Sequence, residues 1–313
     1  MNTRKLLVAL ASAALLAPAT VPGAEAINSR WVNAANQSGP HDNPGAETNR
    51  VWSISLHEPT ATWLRVEFAD CQLGAASYLR ITSVATQRSH RLNATSLGQW
   101  SNLCGPLKGD TVTVELFAAP GDTGVRANVT RLMAGVRPEP GFRPATLCDA
   151  DSRVNTRDDR IGRMFAGGGC TAWLIQNGAV LSAGHCVDGG LGNFLSMNVP
   201  ASDSDGTTNP SDPDDQFPMI ASSQVWELIG DTGRDWGIFN IGPNNNTGER
   251  AHAGRGFFRI TQVVPALNTT LRLTGYGNDD TPAGSTGGNN NDHRTGRTKY
   301  SGRRLSGCGC SSM

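Results

Sequence analysis

Between Gly169 and Cys186 the chain reads Gly-Cys-Thr-Ala-Trp-Leu-Ile-Gln-Asn-Gly-Ala-Val-Leu-Ser-Ala-Gly-His-Cys. Two apolar runs flank Gln176-Asn177-Gly178. Asn-Gly between such runs is the strongest short-range hairpin signal, because both central residues of the tight turn need φ > 0. The stretch is therefore expected to form two strands and a turn. Cys170 and Cys186 then lie across a short loop, where they could be bridged. A bridge closing a loop of roughly 15 residues stabilises by about 3 kcal/mol in the chain-entropy account. It would also anchor the turn that carries His185, immediately before Cys186.

What precedes this stretch reads as export and packaging. Arg4 and Lys5 are followed by an apolar run from Leu6 to Leu16 and by the small-x-small site Ala24-Glu25-Ala26. That run is too short to span a bilayer, so residues 1–26 read as a secretory signal. The expected location is secreted, extracellular or periplasmic, with no membrane association after signal cleavage. The seven cysteines (Cys71, Cys104, Cys148, Cys170, Cys186, Cys308 and Cys310) would then meet an oxidising compartment. The 313 residues suggest two domains, and 27 basic against 27 acidic residues leave no bulk charge to attract nucleic acid.

Residues 27–50 are polar, lack periodicity and read as a flexible leader. From Val51 the pattern alternates with period two. It does so in Val51–Leu56, Trp63–Phe68, Tyr78–Ser83, Thr111–Leu116 and Val125–Val129. Short alternating runs with turn residues between them indicate antiparallel strands, so residues 51–135 are expected to form a β-sandwich. Its two cysteines, Cys71 and Cys104, could form an internal bridge. His57 and His90 have no partner in spacing and read as surface or packing residues. Residues 136–168 carry Pro138, Pro140 and Pro144, then mixed charge and Cys148, and read as a linker. The loop at 201–215, with Asp203, Asp205, Asp212, Asp214 and Asp215, lacks the spacing of a full calcium loop and reads as acidic and solvated.

Leu181-Ser182-Ala183-Gly184-His185-Cys186 resembles the catalytic-histidine segment of trypsin-like (chymotrypsin-fold) serine proteases. The resemblance implies that His185 is a general base, a role suited to an imidazole whose ordinary pKa is near 6.5. The competing roles are a structural histidine beside a disulfide and a metal ligand, but Cys-His adjacency without a second pair is poor zinc spacing. Arg234-Asp235-Trp236-Gly237 resembles the segment that carries the family's triad aspartate, with Gly237 where alanine is usual. Asp235 would orient and stabilise the imidazole. The order His then Asp is that of chymotrypsin-type enzymes. Leu271–Gly277 resembles the strand end that opens the second barrel. Asp158-Asp159-Arg160 resembles a segment near the mature start of bacterial glutamyl-endopeptidase-like members. The alternating block before the linker loosely resembles the N-terminal sandwich of some secreted bacterial proteases, and suggests an accessory or pro-domain. Arg160-Ile161 looks like a tryptic activation site, but Cys170 follows Ile161 by only nine residues, too few for a freed terminus to reach back into the core.

The family's nucleophile sits in a Gly-Asp-Ser-Gly type of segment, and none occurs. Ser301 and Ser306 precede glycines but lack the flanking small residues. Residues 278–313 read as a low-complexity basic tail, and the expectation is a truncated or frameshifted end with an unpartnered strand edge over 257–277. The expected fold class is all-β. It comprises the sandwich and then a chymotrypsin-like double β-barrel over 169–277, of which only the first barrel and the start of the second are present. The expected function is a secreted serine endopeptidase acting on protein or peptide substrates, inactive as given, without metal or cofactor. The alternatives are a non-catalytic protease homologue and an exported β-sandwich binding or adhesion protein.

Overall fold

The alternation between residues 51 and 135 becomes two packed sheets in the computed structural model, which describes residues 29–137, 154–165, 169–187, 194–203, 207–229, 234–277 and 292–299. The signal region, Cys148, Cys308 and Cys310 lie outside the described residues. The first unit contains β1 (Ser29–Gln37), β2 (Asn49–His57), β3 (Trp63–Phe68), β4 (Tyr78–Ser83), β5 (Ser89–Asn93), α1 (Ala94–Gln99), β6 (Leu107–Lys108), β7 (Thr111–Ala118) and β8 (Asn128–Gly135). One sheet has the order β1-β8-β3-β6 and the other β2-β7-β4-β5. Inward residues of both sheets, among them Leu64, Val66, Ile81, Val114 and Leu132, share one buried core. This is a β-sandwich in which strands such as β4, β5 and β7 keep one wetter face, as period-two patterning requires, while β3 is buried on both.

Two expectations for this unit are corrected. Residues 27–50 are not a flexible leader, because β1 pairs with β8 from Ser29↔Gly135 to Gln37↔Asn128 and β2 begins at Asn49. Cys71 and Cys104 are not bridged. Each thiol has its own surroundings: Val66 N–H donates to Cys104 Sγ at 3.0 Å, and Asn128 N–H donates to Cys71 Sγ at 3.4 Å. Complete burial pushes the Cys104 thiol up to about 11, which leaves it unreactive.

The chain continues with β9 (Val154–Asn155), β10 (Ile161–Phe165), β11 (Gly169–Leu174), β12 (Val180–Ser182), α2 (Gly184–Val187), β13 (Phe194–Ser196), β14 (Gln216–Pro218), β15 (Val225–Leu228), β16 (Asp235–Phe239), β17 (Thr270–Gly277) and β18 (Asp292–Lys299). Seven of these strands form an antiparallel sheet in the order β14-β13-β10-β11-β12-β16-β15. The sheet curls into a half-barrel. The end of the edge strand β14 meets the end of β16 where Met219 bridges Ile241 and Gly242 N–H donates to Pro218 O at 2.8 Å. Met164, Leu174, Val180, Leu195, Phe217 and Phe239 fill the interior.

The linker over 136–168 is also corrected in part. Its last strand, β10, is buried at every position and lies mid-sheet between β11 and β13. The tail over 278–313 contains a strand as well: β18 pairs with β17 from Thr270↔Lys299 to Gly277↔Asp292, and β9 pairs with β18. The backbone groups of β17 thus have the partner whose absence was expected, as extended backbone demands. Among the described residues no helix is long and apolar enough to cross a membrane.

The two units share apolar packing. Along β3 the even residues Leu64 and Val66 face the sandwich core. Trp63 and Arg65 face the half-barrel: Trp63 meets Phe165 edge-on at 5.5 Å, and the Arg65 guanidinium lies 5.0 Å from the Phe194 ring centroid. The acidic loop expected to be solvated is instead docked, with Arg88 of the sandwich bonding Asp212 at 2.7 Å and Asp214 at 2.9 Å.

Candidate active site

Asn177 and Gly178 take φ of 69° and 74°, the left-handed geometry that the Asn-Gly turn was expected to need. The turn sets the register Leu174↔Val180 between β11 and β12. Cys170 and Cys186 are joined as a disulfide. Past β12 the chain enters α2, a single helical turn that presents His185.

Why Asp235 meets it, 50 residues later, follows from the sheet. β12 pairs with β16 in the register Ser182↔Gly237, so the residues just after Ser182 lie opposite those just before Gly237. The structure brings the two predicted site residues together twice. His185 Nδ1–H donates to Asp235 Oδ2 at 2.6 Å, and His185 backbone N–H donates to Asp235 Oδ1 at 2.9 Å. An ionised carboxylate only accepts, so the ring proton sits on Nδ1 and the Nε2 lone pair is left to accept a proton. The His185 side chain is 24% exposed, so a reacting group can reach it.

Several supporting residues were not read from the sequence. Glu227 of β15 accepts from Trp236 Nε1 at 2.9 Å and from Arg234 Nε at 2.8 Å, pinning both neighbours of Asp235. Bonding from Arg234, and then from Trp236, holds the Glu227 carboxyl below its usual range. Val187, fully buried at the end of α2, explains the departure at Gly237. A Cβ on Gly237 would lie 2.4 Å from Val187 Cγ2. The departure from alanine was the available signal, although its partner could not be named without the fold.

Cys170, His185 and Cys186 are the described residues whose ligand atoms cluster as a metal site would, within 4.8 Å of one another. Both sulfurs are spent in the S–S bond, so neither is a thiolate, and the cluster does not fit a metal in this state. The Arg160–Ile161 bond is not placed for activation cleavage. Ile161 is buried, pairs with Trp173 and donates its N–H to Asp158 O at 3.0 Å, while Arg160 is clamped by Asp158. A cavity of about 340 Å³ lined by Arg157, Asp158, Asp159 and Tyr276 includes neither His185 nor Asp235. Ser301 and Ser306 lie outside the described residues. Compared with known protein families and with curated proteins, the sequence matches none.

Proposed function

We propose that this chain carries the acid–base half of a trypsin-like serine endopeptidase, an exported protein directed at protein or peptide substrates. The observation that supports this reading best is the 2.6 Å bond from His185 Nδ1 to Asp235 at the rim of a curled antiparallel sheet. In that role His185 Nε2 takes the proton of an attacking serine hydroxyl and returns it to the leaving amine. Asp235 fixes the tautomer and stabilises the imidazolium. The sequence holds no Gly-Asp-Ser-Gly segment to supply the hydroxyl, so this chain is proposed to be inactive by itself.

A fluorophosphonate probe tests this. The 313-residue protein is expected to stay unlabelled. A polypeptide continuing past Met313 with a Gly-Asp-Ser-Gly segment and the remaining barrel is expected to label, and His185→Ala in it to abolish labelling. Undiminished labelling of that His185→Ala variant would refute the assignment of the base. A non-catalytic homologue is the second reading. It is favoured by the bond from His185 backbone N–H to Asp235 Oδ1, which anchors α2 whether or not any chemistry follows. Under that reading the extended polypeptide also stays unlabelled.

A further inference from the structure

His90 lies where the sandwich meets the half-barrel and has no part in the His185–Asp235 pair. It is 1% exposed, on β5, and its Nε2 is 2.9 Å from Oε1 of Gln216, the first residue of β14. Gln216 is itself fully buried, and its amide NH2 donates to Pro106 O at 3.0 Å and to Ser211 O at 2.8 Å. Turning the amide over would set its oxygen against two carbonyls. The amide orientation is therefore fixed, Oε1 must accept from His90, and the imidazole proton belongs on Nε2.

Nδ1 is then an unprotonated nitrogen. It is buried and has no hydrogen-bond partner among the described residues. A second proton on His90 would have to sit there, placing a charge in a buried site with no acceptor among the described residues. The surroundings leave little room to adapt. Trp100 packs edge-on to the ring at 5.1 Å, and a Cβ on Gly105 would come within 2.5 Å of Nε2 and 2.0 Å of Gln216 Oε1.

The charged groups facing His90 come from both units. Arg65 of β3 opposes protonation. Burial pushes this guanidinium down to about 10, which still leaves it cationic at neutral pH. Asp212 and Asp214, from the loop before β14, favour protonation, but Arg88 beside β5 engages both of them. Arg91, the next residue along β5, stacks its guanidinium over Tyr78 at 3.8 Å.

We propose that His90 and Gln216 form an acid-sensitive latch between the sandwich and the half-barrel, which holds while His90 is neutral and opens when it takes a second proton. Opening lets the imidazolium reach water and lifts β5 from β14. It also uncovers the aromatic contacts of Trp100 with Phe194 and of Trp63 with Phe165.

The sign follows from the direction of the shift. Burial is the first cause, and it lowers His90 from 6.5 to about 4 in the docked state. The docked advantage is complete above about pH 6.5 and is lost as the pH falls toward 4. Over that window the open state's preference for the proton reaches roughly 300-fold, at tenfold per unit.

The test is a pH titration of the whole protein from neutral to pH 4, followed by hydrogen exchange at β5 and β14 and by small-angle scattering. The wild type is expected to lose protection at both strands and to expand within that window, with the half-barrel interior still protected. His90→Gln keeps an N–H donor and cannot become charged, so it is expected to stay docked over the same range. Opening of His90→Gln at the wild-type pH would overturn the proposal. Should that variant fail to fold, 15N-histidine spectra of the wild type decide. A proton on Nε2 at neutral pH, replaced by imidazolium as protection is lost, supports the latch. A proton on Nδ1 at neutral pH, or protonation without opening, refutes it.

Discussion

Gly237→Ala tests the account of the site most directly, because it restores the residue that the family resemblance leads one to expect. The added Cβ would sit 2.4 Å from Val187 Cγ2 and 2.9 Å from Val187 Cβ, against roughly 3.5–4.0 Å for an ordinary carbon contact. β16 and α2 must therefore separate by about 1 Å. The Nδ1–Oδ2 bond is 2.6 Å long, and an added ångström brings it to roughly 3.6 Å, beyond hydrogen-bonding range. Overpacking of this kind costs about 1–3 kcal/mol. Val187→Ala removes the methyl at 2.4 Å, leaves the Cβ at 2.9 Å and, by itself, costs about 2 kcal/mol in lost burial and cavity. If the two residues share one space, the double variant loses about 3 kcal/mol rather than the roughly 4 expected from addition.

Urea unfolding measures the three free-energy changes, and the low-field Nδ1 proton of His185 reports on the bond to Asp235. That resonance should vanish in Gly237→Ala and return in part in the pair. Additivity within about 0.5 kcal/mol would mean that Gly237 and Val187 do not compete for space. Persistence of the resonance in Gly237→Ala would mean that the His185–Asp235 geometry does not depend on their fit.

Two further outcomes are expected. Replacing Cys170 and Cys186 together by alanine opens a loop of sequence separation 16 and should lower stability by about 3 kcal/mol; a urea midpoint unchanged from wild type would show that the bridge constrains nothing the sheet does not already hold. Phe194→Ala, at a fully buried ring stacked with Phe165 at 5.0 Å and lying 5.3 Å from Trp100, should cost about 3–5 kcal/mol. Its urea transition should move as one for tryptophans in both units, Trp63 and Trp173, whereas two separated transitions with Trp63 unmoved would show that the sandwich does not depend on the half-barrel.

The parts of the fold that were legible in the sequence are those in which local chemistry and tertiary role agree. Asn177-Gly178 demands its turn whatever surrounds it. Strands such as β4 and β7 alternate because one face is buried and the other is wetter. Of the strands that escaped notice, three did so for distinct reasons. β1 has no buried residue along its length and is paired only through β8, so its polar residues carry no alternation. β10 is buried on both faces and carries Arg163, which is 2% exposed, so its pattern has no wet side. β18, Asp-His-Arg-Thr-Gly-Arg-Thr-Lys, has no apolar residue, and its place depends on backbone pairing with β17. The site pair was legible through resemblance alone, since no periodicity links His185 to a residue 50 positions away. Its packing partner Val187 was not.

The junction between the units was the least legible region, and it bears most on function. In the sequence His90 read as a surface or packing residue and the loop containing Asp212 and Asp214 as solvated, Arg65 and Gln216 drew no reading, and a loose resemblance made the sandwich an accessory or pro-domain. All of these residues instead take part in the contact, with Arg65, His90 and Gln216 buried. A pro-domain that leaves needs a surface which tolerates water once it is bare. Removing this sandwich would bare Phe165 and Phe194 and strand the Gln216 amide without Pro106 O and His90. A buried aromatic side chain is worth a few kcal/mol, comparable to much of a domain's net stability. The sandwich therefore packs as part of the folded support of the half-barrel. Any release from that role needs a device that weakens the junction reversibly, and His90 stands where such a device would act.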